Sequence, residues 1–344
     1  ISGTFHVDES LDRLKVGAVD GTPFAVGKSV SLEATPYVWA GGPRLAGNCD
    51  PSATLSVPGA TVGDRLCNTD GQPILFGDVS GDGQIDVVAG TAYANRWPRW
   101  LVGAIYVWRG GARLRGQVAP DASLTVPGAA DNDRLGVITE AQGFYLADVS
   151  GDGKLDVVAG ASQADVGGRR DTGALYVWSG GPRLTGRSAP TAALVVPGAT
   201  PDDCLGEIDA QGLLFADLNG DQVLDGCAGA RRADSGTQLG TGAIYVWFGA
   251  SLAGTTAPHA TLSVPGVTHG HALCDIRGGQ GLQLSDVSGD GVVDVVAGAS
   301  NARAPWSATG ALYVWIGGAS LRGALAPTSR LTVPGAKPTD LLGD

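Results

Sequence analysis

The stretch "DVSGDGQIDVVAG", residues 78–90, combines an acidic, glycine-containing segment with a run of β-branched residues. It places oxygen-bearing side chains at Asp78, Ser80, Asp82 and Asp86, a pattern typical of calcium-binding loops. An EF-hand loop would carry a glutamate at its twelfth position and lead into a helix. Here the twelfth position is Ala89, and the β-branched residues before it favour a strand. The stretch therefore predicts a calcium loop set between two strands.

The same stretch recurs along the chain. Its copies begin at Asp78, Asp148, Asp217 and Asp286, at intervals of 69 or 70 residues. Two other markers, Tyr-Val-Trp and Val-Pro-Gly, each occur five times with the same period, at Trp39, Trp108, Trp178, Trp247 and Trp315 and at Pro58, Pro127, Pro197, Pro265 and Pro334. A fixed period of this kind indicates a repeat architecture.

Each period contains four segments that read as strands. In the second copy they are "GFYLADV" (143–149), "DVVAGAS" (156–162), "GALYVWSG" (173–180) and "AALVVPG" (192–198), joined by glycine-rich turns. Four-stranded units repeated in this way are typical of a β-propeller. The proline after the fourth strand suits an outer sheet edge, where a missing amide costs little.

The two ends of the chain complete one more period. Residues 333–344 read as the start of a repeat and residues 1–56 as its continuation, and together they contain 68 residues. The sequence therefore predicts a single all-β domain, a five-bladed propeller spanning 1–344. Its expected blades are 57–125, 126–195, 196–263, 264–332 and a split blade of 333–344 with 1–56, which would fasten the ring.

The spacing Asp-x-Ser/Asn-x-Asp-Gly-x-x-Asp within a four-stranded repeat resembles the FG-GAP repeat of integrin α chains and many bacterial surface proteins. The "FG" element stands here as Leu135-Gly136 and Leu205-Gly206, and the "GAP" element as Ala-Gly-Ala or Ala-Gly-Thr. The resemblance implies a calcium-binding, extracellular propeller. Integrin propellers have seven blades and this chain contains no Arg-Gly-Asp, so integrin ligand residues are not carried over.

A nine-residue loop can surround calcium with side chains 1, 3, 5 and 9 and the carbonyl of residue 7. Glycine at the sixth position permits the turn, but the third copy has Gln222, so we expect positive φ and weaker binding there. In the split blade, Asp8, Ser10 and Asp12 are followed by Lys15 or Val16 instead of the last aspartate, and we expect no calcium. About four ions are therefore predicted. The expected ligands are Asp78, Ser80, Asp82, Gln84 and Asp86; Asp148, Ser150, Asp152, Lys154 and Asp156; Asp217, Asn219, Asp221, Val223 and Asp225; and Asp286, Ser288, Asp290, Val292 and Asp294.

The composition of the chain argues against several classes of function. The net charge of −11 argues against a nucleic-acid partner, and no apolar run approaches the roughly 20 residues of a membrane helix. Five cysteines without a C-x-x-C pair argue against zinc and redox motifs, and a disulfide or two is expected outside the cell. No Ser/His/Asp arrangement or phosphate loop is tied to the repeat, so we expect no enzyme.

The periodic tryptophans are expected to pack between blades, whereas Trp97, Trp100 and Trp306 break the period. They lie in the connections between second and third strands, the least repetitive parts of the chain, on the face opposite the calcium loops. These connections either bind a ligand or merely cover the central channel. The candidate ligand-face residues are Trp97, Arg99, Trp100, Arg169, Arg170, Arg231, Arg232, Arg303 and Trp306.

Three functions remain open at this point. The first is a secreted or surface-exposed, non-catalytic module for binding or adhesion to a protein or a glycan. The second is a self-associating structural subunit of an extracellular coat, sheath or filament. The third is a calcium-dependent polysaccharide lyase. Glycan binding, self-assembly and depolymerisation of an acidic polysaccharide, respectively, would separate them.

Overall fold

Strands make up nearly all of the regular structure in the computed structural model, which describes residues 11–19, 22–29, 36–40, 50–67, 73–137, 142–207, 213–275, 281–304 and 307–337. The helical segments within these ranges are three single 3-10 turns, Val62–Asp64, Gly111–Arg113 and Gly249–Ser251. None of them has the length or apolar character to cross a membrane. The chain is therefore all-β, as predicted.

The strands recur in the same order in each repeat. The first sheet contains β1 (Leu11–Val19), β2 (Thr22–Ser29), β3 (Pro36–Ala40) and β4 (Ala53–Leu55). The second repeat supplies β5 (Ile74–Gly77), β6 (Asp86–Thr91), β7 (Ala104–Trp108), β8 (Gly116–Val118) and β9 (Ala122–Leu124). The third supplies β10 (Phe144–Ala147), β11 (Asp156–Ala161), β12 (Ala174–Trp178), β13 (Gly186–Ser188) and β14 (Ala192–Leu194).

The last two repeats follow the same pattern. The fourth supplies β15 (Leu214–Ala216), β16 (Asp225–Ala230), β17 (Ala243–Trp247), β18 (Gly254–Thr256) and β19 (Ala260–Leu262). The fifth supplies β20 (Leu282–Ser285), β21 (Asp294–Ala299), a small hairpin of β22 (Arg303–Ala304) and β23 (Ser307–Ala308), β24 (Ala311–Trp315), β25 (Gly323–Leu325) and β26 (Ser329–Leu331).

Four antiparallel strands form the body of each sheet, as the sequence predicts. A fifth, three-residue strand from the next repeat then pairs in parallel with the fourth strand; we call β8, β13, β18 and β25 the bridging strands. For example, β8 pairs with β4 so that Ala53 faces Gly116 and Leu55 faces Val118. In the first four sheets the fourth strand is therefore covered by its neighbour, and the prediction that it forms the outer edge is wrong there. The proline follows the strand, so its missing amide removes no bond from the pairing.

Hydrophobic clusters lie between successive sheets. One cluster joins Val107 of β7 to Val157 of β11, and another joins Ile244 of β17 to Val295 of β21. Similar sheets stacked in sequence order, each linked to the next by a bridging strand, are consistent with a β-propeller. The five-blade count and the closure of the ring stay predictions.

The last sheet differs from the others on its outward side. Val287 is 55% exposed, although its counterparts Val79, Val149 and Leu218 are buried, and Leu331 and Val333 are also exposed. Within the described ranges no bridging strand pairs with β26. Residues 47–49, which correspond by period to Gly116–Val118, lie outside the described residues, as do 1–10 and 338–344 of the predicted split blade.

Four of the five periodic tryptophans hold the bridging strands, which confirms the predicted packing role for those four, while Trp39 is half-buried. Trp108, Trp178, Trp247 and Trp315 are fully buried. The Nε1 atoms of Trp108 and Trp247 donate to the carbonyls of Val118 and Thr256, at 3.0 and 3.1 Å. Because those carbonyls lie on bridging strands, each indole fastens one repeat to the previous sheet.

The Leu-Gly element contacts the second strand through its backbone. Gly136 and Gly206, which are both at positive φ, donate their amides to the carbonyls of Gly160 and Gly229. Cys67 and Cys274 take the same place, with φ of 63° and 69°. The chain thus has this element in two further repeats, where cysteine replaces glycine.

The cysteine thiols with described surroundings are buried. Cys204, Cys227 and Cys274 are free, so the expected disulfides do not involve any pair of these three. Burial raises the pKa of the Cys204 thiol to about 12, which keeps it protonated at neutral pH. Cys49 lies outside the described residues.

The N-terminal sheet departs from the predicted alignment. Asp12 and Lys15 lie within β1, and Lys15 pairs with Val26 of β2, so neither is in a loop. The residues between these strands are Asp20-Gly21, a dipeptide strongly favoured in two-residue hairpins. This local turn signal outweighs the weak acidic pattern. Asp8 and Ser10 lie outside the described residues.

Candidate metal centres and the opposite face

The predicted calcium loops all connect the first and second strands of a sheet. We call residues 78–86, 148–156, 217–225 and 286–294 the acidic loops. In each, the first aspartate follows the first strand directly, and the ninth is the first residue of the second strand. The sheet therefore fixes both ends of the loop.

The first aspartate organises the turn. Asp78 accepts the amides of Asp82 and Gly83 at 3.1 and 2.8 Å, and Asp82 accepts that of Gln84 at 2.9 Å. The residue at the sixth position has φ of +85° at Gly83 and +69° at Gln222. Gln222 thus adopts the left-handed conformation expected from the sequence.

The ninth aspartate is buried in all four loops. Asp86 accepts the Ser80 amide at 2.8 Å through Oδ2 and the Gly110 amide at 3.0 Å through Oδ1. Burial raises the pKa of Asp86, and that of Asp225 to about 6. None of the four forms an ion pair with a lysine or arginine of the described residues. A buried carboxylate without a counter-charge is costly, and a bound cation would reduce that cost.

The second loop contains a cation of its own. The Lys154 Nζ atom lies 2.7 Å from Oδ2 of Asp152. This ammonium lowers the pKa of Asp152. An incoming metal ion would have to displace it.

The acidic loops have the right kind of donor atoms for calcium, but their carboxylates are not gathered around one point. The loops offer only carboxylate, hydroxyl, amide and carbonyl oxygens, the ligands that calcium prefers. However, no group of three His, Cys, Asp or Glu side chains in the described ranges is gathered closely enough to hold an ion. The first and fifth aspartates bind loop amides instead. The residues therefore fit calcium by chemistry, without forming the complete ligand cage.

The connections between second and third strands lie at the opposite end of each sheet. Despite their different sequences, three of them share one turn, in which Asn95, Asp165 and Asp234 accept the amides of residues six positions later. Each also contacts the connection that enters the next sheet, as when the Asn132 amide donates to the Trp100 carbonyl. These segments are thus structurally repetitive.

The structure contains a second set of periodic aspartates that were not predicted as site residues. Asp64, Asp133 and Asp203 are buried at this end, and Asp133 accepts the Ala130 amide at 2.8 Å. Burial raises the pKa of Asp133 to about 6. His271 takes the corresponding position in the last repeat, where its Nε2 lies 3.0 Å from the Tyr313 hydroxyl and burial lowers its pKa to about 4. The 69- or 70-residue spacing of the three aspartates was the available signal.

Two of the predicted ligand-face tryptophans are exposed. Trp97 is 84% and Trp100 54% accessible, and their ring centroids lie 6.0 Å apart with an interplanar angle of 88°. The turn below them is closed by bonds between the backbones of Arg96 and Arg99, and the Trp100 amide donates to Asp131 at 2.9 Å. The pair therefore stands on an ordered hairpin tip.

Several of the predicted ligand-face arginines are engaged within the protein. Arg170 pairs with Asp202 at 2.8 Å, and Arg231 lies between Glu207 and Asp275. Arg232 shares Glu207, Arg99 lies 3.9 Å from Asp131, and Arg169 donates to the Ala199 carbonyl. The Arg303 side chain and Trp306 lie outside the described residues.

Comparison with known families agrees with the repeat pattern. The FG-GAP repeat model matches residues 143–178, from the residue before β10 through its acidic loop to the end of β12. A comparison with curated proteins found no match. The chain therefore contains an FG-GAP repeat, as its sequence predicted.

Proposed function

We propose that this chain is a calcium-stabilised propeller that acts outside the cell as a non-catalytic binding or adhesion module. The supporting observation is the buried ninth aspartate of each acidic loop, which has no cationic partner among the described residues. The match to an FG-GAP repeat supports the same class of protein.

Calcium would be held by the oxygens of the four acidic loops and would act as a cross-link between the first and second strands. Four ions would change the formal net charge from −11 to −3, which reduces self-repulsion. An ion that binds only the folded state stabilises it by mass action. Exposed loops of this kind suit the millimolar calcium found outside cells.

The ligand would bind at the hairpin tip formed by Trp97 and Trp100. Exposed aromatic side chains are enriched among residues that dominate binding energy. The corresponding tips in the next two repeats present Gly167 and Gly236 instead. Blade-specific aromatics on a shared turn favour recognition over a purely structural role.

The test compares a Trp97→Ala, Trp100→Ala double variant with Leu239→Ala, using immobilised matrix proteins and polysaccharides. Leu239 is 53% exposed on the equivalent connection two repeats later, so it controls for the loss of exposed apolar surface. We expect the double variant to lose at least tenfold in affinity and the control to bind normally. Equal binding by both variants, with the fold intact, would place the ligand elsewhere.

Self-association into a coat or filament is the second candidate. It is favoured by the exposed Leu331 and Val333 at the outer edge of β26, and by the exposed Val287 in the acidic loop of the same sheet. An exposed edge with apolar neighbours is a template for pairing with another chain. Light scattering would show polymers under this reading and a monomer if the same surface closes the ring.

A further inference from the structure

Neighbouring acidic loops are linked through a glycine of the connection between third and fourth strands. Gly180 donates its amide to Oδ1 of Asp156, in its own repeat, at 2.8 Å. The next residue, Gly181, donates to the carbonyl of Val79, in the previous loop, at 2.7 Å. Val79 stands between two predicted calcium ligands, so two successive amides connect one loop to the other.

The same link recurs between the last two loops. Gly317 donates to Asp294 at 2.9 Å, and Gly318 donates to the Leu218 carbonyl at 2.8 Å. Between the middle loops only the first of these bonds is formed: Gly249 donates to Asp225 at 3.0 Å, but no described backbone bond joins Ala250 to the Val149 carbonyl, and the two loops meet there by packing. A Cβ at Gly249 would lie 2.5 Å from the Val149 carbonyl oxygen, so only glycine fits against the neighbouring loop.

Side chains reinforce each link. The seventh residue of one loop packs on the fourth residue of the loop before it: a Cβ on Gly81 would lie 2.9 Å from Lys154, and one on Gly151 would lie 3.0 Å from Val223. The second residue of each earlier loop is buried, as Val79 and Leu218 show. The position of one loop backbone thus depends on the next repeat.

We propose that calcium binding at one acidic loop favours binding at the adjacent loop through these glycines, an inference that rests on the proposed function. An ion in loop 78–86 would fix the Val79 carbonyl, which orients Gly181 and Gly180 and so holds the Asp156 carboxylate in place. The second ion then binds a site that is already ordered. We expect each link to raise the neighbour's affinity about fivefold, the lower end of typical coupling.

Two matched variants test the coupling by calorimetric calcium titration. Asp148→Asn removes an internal loop and leaves one bonded pair with an isolated loop, whereas Asp286→Asn removes a terminal loop and leaves one bonded pair with a third loop packed against it. Both residues accept amides of their own loop, so the substitutions are chemically equivalent. We expect three ions in each variant and a Hill coefficient above one, higher for Asp286→Asn.

A Hill coefficient of one in wild type and both variants, with all ions bound, would overturn the coupling and leave the proposed function intact. Failure of the wild type to bind calcium would instead overturn the proposed function. Hydrogen exchange gives an independent reading in Asp78→Asn. The Gly181 amide should exchange at least fivefold faster there, while Gly318 stays unchanged; equal rates at Gly181 in variant and wild type would also overturn the coupling.

Discussion

Trp247→Phe measures how strongly a bridging strand holds two repeats together. The indole is fully buried, and its Nε1 donates to the Thr256 carbonyl at 3.1 Å. That oxygen also accepts the Val195 amide at 3.1 Å, so it keeps one partner in the variant. Losing the indole bond therefore costs about 1 kcal/mol, without the larger cost of an unpaired group. The space left by the smaller ring adds about 1 kcal/mol.

We expect the variant to lose about 2 kcal/mol of unfolding free energy, combining both terms. Urea denaturation followed by circular dichroism at fixed calcium gives the shift in midpoint. Trp97→Phe is the control, since that side chain is 84% exposed and should change stability by less than about 0.5 kcal/mol. If the two variants have the same midpoint, the periodic tryptophans do not hold the repeats together.

Three further changes test individual sites. Gly153→Gln forces a side chain to φ of +83° and should cost about 1 kcal/mol, whereas Gln222→Gly relieves the same strain and should raise the melting temperature; two unchanged melting curves would contradict this. Asp133 has a folded pKa of about 6, above the unfolded value near 3.9, so it favours the folded state increasingly as pH falls from 7 to 4. Asp133→Asn should remove that gain in a thermal melt at pH 7 and 5, and an unaltered pH response would refute the assignment. Arg231→Ala should lower the unfolding free energy by about 2 kcal/mol, because its partner Glu207 is buried. Arg170→Ala loses an exposed ion pair and should cost less than about 1 kcal/mol, so equal losses in urea melts would count against this difference.

The repeat period made the strand pattern predictable from sequence. Tyr-Val-Trp and the acidic loop recur at 69- or 70-residue intervals, and each signals its local structure through residue type alone. The bridging strands were not predictable in this way. Segments such as Gly116–Val118 have no alternating pattern, because their side chains are mostly exposed and, among the described strands, a single edge of each is paired.

Site prediction succeeded for loop position and failed for side-chain partners. The positive φ of Gln222 follows from its place in the turn, which local sequence defines. The partners of Arg231 come from residues 24 and 44 positions away, so no local pattern indicates that it is occupied. Likewise, the glycines that bind the ninth aspartates lie 23 or 24 residues beyond them.

In the N-terminal sheet, a loop was predicted at residues that lie in a strand. Asp8, Ser10 and Asp12 matched the acidic loop in part, but the strands form around Asp20-Gly21. A strong two-residue turn signal between two pairable segments fixes their register. The acidic pattern lacks its last aspartate, so it does not specify a loop as strongly as Asp20-Gly21 specifies a turn.

Counting bound calcium ions tests whether the four acidic loops are metal sites. Isothermal titration of the metal-free chain, with anomalous scattering from crystals grown in millimolar calcium, would give the number and position of the ions. We predict four per chain, at the loops beginning with Asp78, Asp148, Asp217 and Asp286, and a lower melting temperature after chelation. Two or fewer ions, or a melting curve unmoved by chelator, would contradict the account.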